Sequence, residues 1–231
     1  MKGWHDTWND ILHCDGHPRW KVDDLNAKSI ALNHIQDQAS QELGSKDSLN
    51  IFCPLAGDDP FVRFAWDKGH DVTAIDLVPD AVKAMRSQFE GSWQEEKSDD
   101  GTVIWKHESG RATLYQGDAL AQRPELLQKF HAVYDKDSFG ALDESMRNDF
   151  CERISDYTKQ DNGFIYLEVK NKDEDHPGRN DGPPFHITKE ILMDSANFGS
   201  SFTHVACLGK VYELPIPKMS QIGHILKRLP R

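Results

Sequence analysis

Apolar and polar positions along the first half of the chain predict a strand, a turn, a helix and a second strand. Residues 49–55 form an apolar run, and Gly57 follows as a turn residue. An amphipathic stretch then leads to a second apolar run that ends at Asp76. Short apolar runs joined by a segment of helical period are typical of βαβ units. We interpret residues 49–76 as the first half of a nucleotide-binding unit, around which the rest of the chain is organised.

The same patterns predict further elements on both sides of this unit. Helices are predicted at residues 26–43 with Gly44 as the stop, from Pro79 onward, at 124–130, at 144–158, and from the capping residue Thr188 through 196. Strands are predicted as a hairpin at 102–107 and 111–115, and at 131–134, 163–169, 202–208 and 210–215. Residues 90–101 and 171–184 are predicted loops. This alternation predicts an α/β fold with a mainly parallel sheet, helices on both faces and an antiparallel edge.

We expect residues 1–231 to form a single domain, because a chain of this length can bury one sizeable core. It divides into an N-terminal flap and helix at residues 1–43 and an α/β core at residues 49–231. Trp8 and Trp20 lie in the first part among turn-forming residues. Such tryptophans either cover a cleft as an ordered flap or anchor a tail to the domain surface, and the sequence leaves both options open.

Composition and charge limit the cellular environment and the kinds of partner that we expect for this protein. The net charge is −11 and no basic stripe is present, which disfavours a nucleic-acid partner because phosphate backbones require clustered Lys and Arg. No apolar run is long enough for a membrane span, and the N-terminus lacks a signal-peptide core. Four separated cysteines indicate free thiols in a reducing compartment. We therefore expect a cytoplasmic protein, a monomer or weak homo-oligomer, that acts on a small molecule.

Acidic side chains at the predicted strand ends indicate which cofactor the unit could take. In open α/β sheets, ligands bind beyond the carboxyl ends of the strands. Gly57 lets the backbone approach a ligand closely, but Asp58 and Asp59 would repel a pyrophosphate at the helix N-terminus. This argues against NAD, FAD and nucleoside triphosphates and favours S-adenosylmethionine, which is cationic and lacks phosphates. Asp76 could accept hydrogen bonds from a ribose diol, or it could cap the turn before Pro79.

Two other polar positions carry weaker signals. Asp118 follows a predicted strand, where its carboxylate could accept a hydrogen bond from an adenine amino group or be an ordinary loop acid. His13, Cys14 and His17 lie close together in sequence. A fourth ligand is missing there and the spacing matches no zinc pattern, so we predict no metal site.

Several segments, in the correct order, resemble the thiopurine S-methyltransferase family. They are FCPLAGDDPFVRFAWDKGHDVTAIDLVPDAV, SGRATLYQGD, FHAVYDKDSFGALDESMRNDF and HPGRNDGPPFHITKE. The N-terminal HDTWNDILHCDGHPRW is more weakly similar to the tryptophan-containing cofactor flap of that family. The resemblance covers residues 49–196 well and the flanks less well.

The resemblance implies a Rossmann-like class I methyltransferase with a seven-stranded sheet. The methyl donor would be S-adenosyl-L-methionine, the product S-adenosyl-L-homocysteine, and the acceptor a thiol or other small sulfur nucleophile, with halides or thiocyanate as further options. Carried over by position, Leu55 and Gly57 would contact the methionine part and Asp76 the ribose. The full implied cofactor set is Trp8, Trp20, Leu55, Gly57, Asp76, Leu77, Asp118, Ala119 and Asp135, with Asp118 and Ala119 beside the adenine and the tryptophans covering the cofactor.

The chain departs from the family pattern at three positions. Ala56 replaces a cysteine, Asp58 replaces a lysine, and Lys136 replaces an arginine that is thought to position or polarise the acceptor. Lysine keeps the charge but lacks the planar fork of arginine. The departures therefore affect the prediction of the acceptor more than the prediction of the cofactor.

Three residues are candidates for the chemistry: Asp135, Lys136 and His186. A cation at Lys136 would favour the thiolate form of an acceptor, although a salt bridge to Asp135 or Asp137 would explain it equally well. His186 follows a Gly-Pro-Pro turn and could act as a base, or it could be a solvated loop histidine. Transfer to oxygen, nitrogen or a metalloid stays open, as does a non-catalytic module that binds S-adenosylmethionine.

Overall fold

The fold is described from a computed structural model, which covers residues 22, 24–45, 47–214 and 216–230. Trp8 and Trp20, which the sequence assigns to a cofactor flap, lie outside the described residues. The same holds for His13, Cys14 and His17. The interpretations made for these five positions therefore stay predictions.

Within the described residues, nine strands form one mixed sheet in the order β3-β4-β5-β2-β1-β6-β7-β9-β8. The strands are β1 (Asn50–Cys53), β2 (Asp71–Asp76), β3 (Trp93–Lys97), β4 (Val103–His107), β5 (Ala112–Gln116), β6 (Ala132–Lys136), β7 (Phe164–Lys172), β8 (Phe202–Tyr212) and β9 (Met219–Arg228). The five central strands, from β5 to β7, pair in parallel. The two strands at each edge pair antiparallel. The order reverses beside β1, and such a switch point is where ligands bind in open α/β sheets.

Helices cover both faces of the sheet. They are α1 (Leu25–Leu43), α2 (Phe61–Asp67), α3 (Pro79–Arg86), α4 (Ser138–Ala141), α5 (Glu144–Tyr157) and α6 (Lys189–Leu192), with 3₁₀ turns at Pro124–Leu126 and Phe198–Ser200. Successive strand residues point to opposite faces, so that Ile51 joins the core under α1 to α3 while Phe52 joins the core under α5. As predicted, Gly44 ends α1 in the left-handed conformation, and Thr188 caps α6. The α/β fold and the covering of both faces are confirmed.

The strand count and the edges differ from the expectation of a seven-stranded sheet with one antiparallel edge. Residues 93–97 form β3 rather than a loop; this strand is polar because it pairs only with β4 and is largely exposed. The predicted strands 202–208 and 210–215 are one strand, since Gly209 lies at an irregularity with φ +70° and bends β8 without ending it. The sequence interpretation missed β9 altogether. Predicted helix 124–130 is a single 3₁₀ turn.

The helices of the described part of the chain were compared with the requirements of a bilayer crossing. None combines sufficient length with sufficient apolar character.

Candidate active site

The carboxyl ends of β1 and β2 are tied together by the carboxylate of Asp76. The N–H of Gly57 donates to Asp76 Oδ2 at 2.8 Å, and the N–H of Val78 donates to Asp76 Oδ1 at 2.9 Å. Gly57 has φ +57°, a region that side chains other than glycine enter only with strain. Asp76 thus fixes the turn after β1, and the turn-capping role considered from the sequence is observed.

Polar and apolar groups of the kind that a ribose and an adenine require lie at these strand ends. A carboxylate oxygen can accept more than one hydrogen bond, and both oxygens of Asp76 accept a backbone N–H. Leu77 beside it is 53% exposed, although it is a large apolar side chain. Asp118 is exposed and its Oδ1 accepts from the N–H of Leu120 at 2.9 Å. Carboxylates beside an exposed apolar side chain fit the chemistry of the ribose and adenine of S-adenosylmethionine.

A small cavity lies beside this turn, at the ends of β1 and β6. Its lining residues are Cys53, Pro54, Leu55, Ala56, Asp59, Val62, Tyr134 and Lys136. The Tyr134 ring stacks on Phe61 of α2 with 3.6 Å between ring centroids. The structure therefore brings Leu55 and Lys136, two of the predicted site residues, to one cavity.

A buried lysine that the sequence analysis did not identify neutralises Asp59. Lys28, in the first turn of α1, is 1% exposed, and its ammonium lies 2.8 Å from Asp59 Oδ1. The Lys28 ammonium also donates to the Tyr134 hydroxyl at 3.4 Å. The repulsion of a pyrophosphate expected from Asp59 is therefore offset by this cation. Its only signal in the sequence is weak: Lys28 occupies the apolar stripe of a predicted helix.

Lys136 is held in a second group of buried charges. Its ammonium lies 3.4 Å from Asp137 Oδ2, which also accepts from Lys170 at 2.9 Å. Burial lowers the pKa of Lys136, but the charges of Asp137, Asp59 and Glu168 outweigh it and raise that pKa above its ordinary value. The salt bridge to Asp137 that the sequence allowed is present, and Lys136 is also one of the residues that line the cavity.

Asp135 is a buried carboxyl with one unpartnered oxygen. It is 1% exposed, its Oδ1 accepts from the N–H of Ser138 at 2.8 Å, and its Oδ2 has no hydrogen-bond partner among the described residues. Burial raises the pKa of Asp135 to about 7, against the opposing hydrogen bonds at Ser138. An orphaned carboxylate oxygen at a strand end fits a cationic ligand, since it costs free energy while it is left unpaired.

His186 is placed at the end of β7, beside Lys172. Its Nδ1 accepts from the N–H of Lys172 at 3.0 Å, so Nε2 carries the proton. Burial and the nearby charges of Arg179 and Lys172 lower the pKa of His186. The ring is half-buried rather than solvated, and it does not line the cavity that contains Lys136.

The fold and the site together define a class I S-adenosylmethionine-dependent methyltransferase. A family model described as thiopurine S-methyltransferase matches residues 1–215. The chain belongs to the thiopurine S-methyltransferase family. This confirms the resemblance drawn from the sequence and the enzyme class that it implies.

Individual relatives are more distant than the family match suggests. The chain is 24% identical over 178 residues to a thiopurine S-methyltransferase of Acinetobacter baylyi, covering 76% of this chain and 79% of the relative. It is 27% identical over 172 residues to that of Bos taurus, covering 73% and 67%. A solved 1,6-didemethyltoxoflavin-N1-methyltransferase of Burkholderia thailandensis, with S-adenosylhomocysteine bound, has a TM-score of 0.58 at 14% identity and covers 99% of this chain and 92% of its own. A TehB-like S-adenosylmethionine-dependent methyltransferase of Corynebacterium glutamicum has a TM-score of 0.60 at 10% identity, covering 96% and 95%. At these identities the solved structures support the fold alone.

Proposed function

We propose that this enzyme methylates the sulfur of a small thiol. The observation that carries the proposal is that Lys136 lines a cavity next to the turn formed by Gly57 and Asp76. A thiolate is the nucleophilic form of a thiol, and a nearby cation increases its fraction. The relatives from Acinetobacter baylyi and Bos taurus are named for the same reaction type.

The cofactor assignment extends the predictions made from the sequence. We assign Leu55 and Gly57 to the methionine part and Asp76 with Leu77 to the ribose. Asp118 and Ala119 are assigned to the adenine, Asp135 to the cationic end of the cofactor, and Trp8 and Trp20 to its cover. The support is the shared location of the described members of this set at the carboxyl ends of β1, β2, β5 and β6.

When bound, S-adenosylmethionine supplies a methyl group made electrophilic by its sulfonium. The side chains contribute position and charge. Lys136 holds a positive charge at the cavity, which stabilises an anionic acceptor. Phe61, Val62 and Tyr134 make an apolar wall that excludes water and strengthens that interaction. The role of His186 as a base stays a prediction from the sequence; in the arrangement described, its Nδ1 accepts from the N–H of Lys172 and the cavity is lined without it.

Binding and turnover test the two parts of the proposal separately. Calorimetry should detect S-adenosylhomocysteine binding to the wild type, and Asp76→Ala should weaken it by roughly tenfold or more, because a lost charged hydrogen bond costs about 1.5–3 kcal/mol. Asp194→Asn, at an exposed carboxyl that accepts only the N–H of Ala196, should bind as the wild type does. Absence of any binding by the wild type contradicts the cofactor assignment.

An acceptor panel tests the sulfur assignment. Aromatic and aliphatic thiols should yield methyl thioethers with S-adenosylmethionine, and Lys136→Met should lose most of that activity while retaining S-adenosylhomocysteine binding. Halides and thiocyanate are the second candidate acceptors, because a lysine ammonium pairs with a small anion without the planar fork of arginine. Methylation confined to oxygen, nitrogen or metalloid acceptors, or cofactor binding without any turnover, would reject the thiol proposal.

A further inference from the structure

Strand β7 buries a row of polar side chains where a central strand is expected to be apolar. Tyr166, Glu168, Lys170 and Lys172 are 0%, 1%, 3% and 4% exposed. They lie two residues apart, so they share one face of the sheet. Strands in the middle of a covered sheet are usually near-continuous apolar runs, since burying charge is costly. Such a row of buried polar side chains indicates a function that apolar side chains could not perform.

Glu168 is the centre of this row. Its Oε1 accepts from the Tyr166 hydroxyl at 2.9 Å, and its Oε2 accepts from the Tyr212 hydroxyl of β8 at 2.8 Å. Two hydroxyl donors, one on each oxygen, fix the position of the carboxylate. Burial raises the pKa of Glu168, while Lys136, Lys28 and the two tyrosine hydroxyls oppose that rise.

Glu168 faces the residue that we place against the acceptor. Lys136 of β6 and Glu168 of β7 are partners in the parallel register, so their side chains leave the same face of the sheet side by side. The charge of Glu168 is one of three that raise the pKa of Lys136, together with Asp137 and Asp59.

Several of the packed elements contribute titratable groups to this cluster. The cations are Lys28 from α1, Lys136 from β6 and Lys170 from β7; the carboxylates are Asp59 before α2, Asp137 after β6 and Glu168 from β7; the hydroxyls are Tyr134 from β6, Tyr166 from β7 and Tyr212 from β8. Asp59 pairs with Lys28 and Asp137 pairs with Lys170. Asp59 and Asp137 are thus each shared with another cation, whereas the hydrogen bonds of Glu168 come from neutral hydroxyls.

We propose that Glu168 is a positioning residue for methyl transfer. Its carboxylate, held by the hydroxyls of Tyr166 and Tyr212, keeps the Lys136 ammonium charged and oriented toward the acceptor cavity. The inference rests on the proposed function, because it assumes that Lys136 meets the acceptor. The positive charge kept at Lys136 in this way makes the enzyme selective for anionic acceptors over cationic amines. Glu168 adds negative charge beside the lysine, and the side-chain hydrogen bonds that hold its carboxylate come from the neutral hydroxyls of Tyr166 and Tyr212.

The test follows the titration of Lys136 directly, by NMR of the enzyme labelled with ¹³C at lysine Cε, with the signal assigned through Lys136→Arg. Glu168→Gln removes the charge but nearly keeps the shape, so the pKa of Lys136 should fall. The alkaline limb of kcat/KM for a thiol should move to lower pH, and kcat/KM should fall roughly ten- to a hundredfold, since small misplacement of reacting groups can cost about a hundredfold. Tyr212→Phe should shift both readouts in the same direction but less, because it removes only one hydroxyl from Glu168.

Control variants separate positioning from a loss of structure. Glu168→Asp should restore part of the kcat/KM and of the Lys136 pKa, whereas Glu213→Gln, at a residue just after β8 whose side chain is 82% exposed, should change neither. If Glu168→Gln does not fold, the shift of the Lys136 titration and of the pH profile in Tyr212→Phe tests the inference instead. A wild-type enzyme that turns over thiols while Glu168→Gln or Tyr212→Phe leaves the Lys136 titration and the pH profile unchanged overturns the inference. A titration that shifts as expected in an enzyme without thiol turnover instead overturns the proposed function.

Discussion

The unpartnered carboxyl of Asp135 makes a quantitative prediction about stability. Asn at this position keeps an oxygen that can accept from the N–H of Ser138, and it removes the titrating proton. The perturbation Asp135→Asn therefore isolates the free energy of ionising one buried group. Ionisation of Asp135 destabilises the folded wild-type enzyme, because the carboxylate is buried without a charged partner that compensates it.

The sign and the size follow from the pKa. The pKa of Asp135 rises from 3.8 to about 7 on folding, so between these two pH values the folded state binds more protons than the unfolded state. Wild-type stability attributable to Asp135 is then fully present below pH 3.8, falls as pH rises toward 7, and stays low above that. About three pKa units correspond to roughly 4 kcal/mol, which is an upper limit for the gain of Asp135→Asn at pH 8.

Urea denaturation at pH 5, 6, 7 and 8 measures this effect. The difference in unfolding free energy between Asp135→Asn and wild type should grow with pH up to about 7 and then level off. Taking the difference cancels the contribution of Glu168, whose pKa burial also raises. Asp194→Asn should show no such growth. A difference that is flat across the whole range, or that shrinks with pH, refutes the reasoning about Asp135.

Three further substitutions test the packing around the site by the same denaturation assay. Lys28→Met should cost at most about 3–5 kcal/mol, because it leaves the partly buried Asp59 without its cation, and adding Asp59→Asn should recover part of the loss. Gly163→Ala should cost about 1–3 kcal/mol or more, since its new Cβ would lie 2.3 Å from the Lys159 carbonyl oxygen. Gly44→Ala, where the added Cβ meets open space but φ is +70°, should cost only about 1–2 kcal/mol. Equal losses for the two glycine variants would contradict the steric account.

The hydrophobic pattern was sufficient to predict much of the fold. The βαβ unit, α1 with its stop at Gly44, the hairpin of β4 and β5, and α5 follow from local periodicity and capping, which nearby residues decide. The pattern failed at β3 and β9 and at the continuity of β8 through Gly209. β3 is an exposed edge strand with a polar sequence, so its local pattern carries little signal for a strand. β9 lies between β7 and β8, and its pairing with β7, a strand distant in sequence, is not visible in a local pattern.

The site shows the same division between local and distant information. Strand-end positions and spacing were enough to select Gly57, Asp76 and Lys136, because the carboxyl ends of parallel strands meet at one edge of a sheet. The sequence pattern could not predict how the charges around Lys136 are balanced. Lys28 and Glu168 lie far from Lys136 along the chain and come near it only when α1 and β7 pack against β6. The sequence by itself determined the fold class, the family and the strand ends that bear the site. Only the tertiary structure decided which charges are paired there, because pairing in a buried cluster depends on distances between elements that no local pattern encodes.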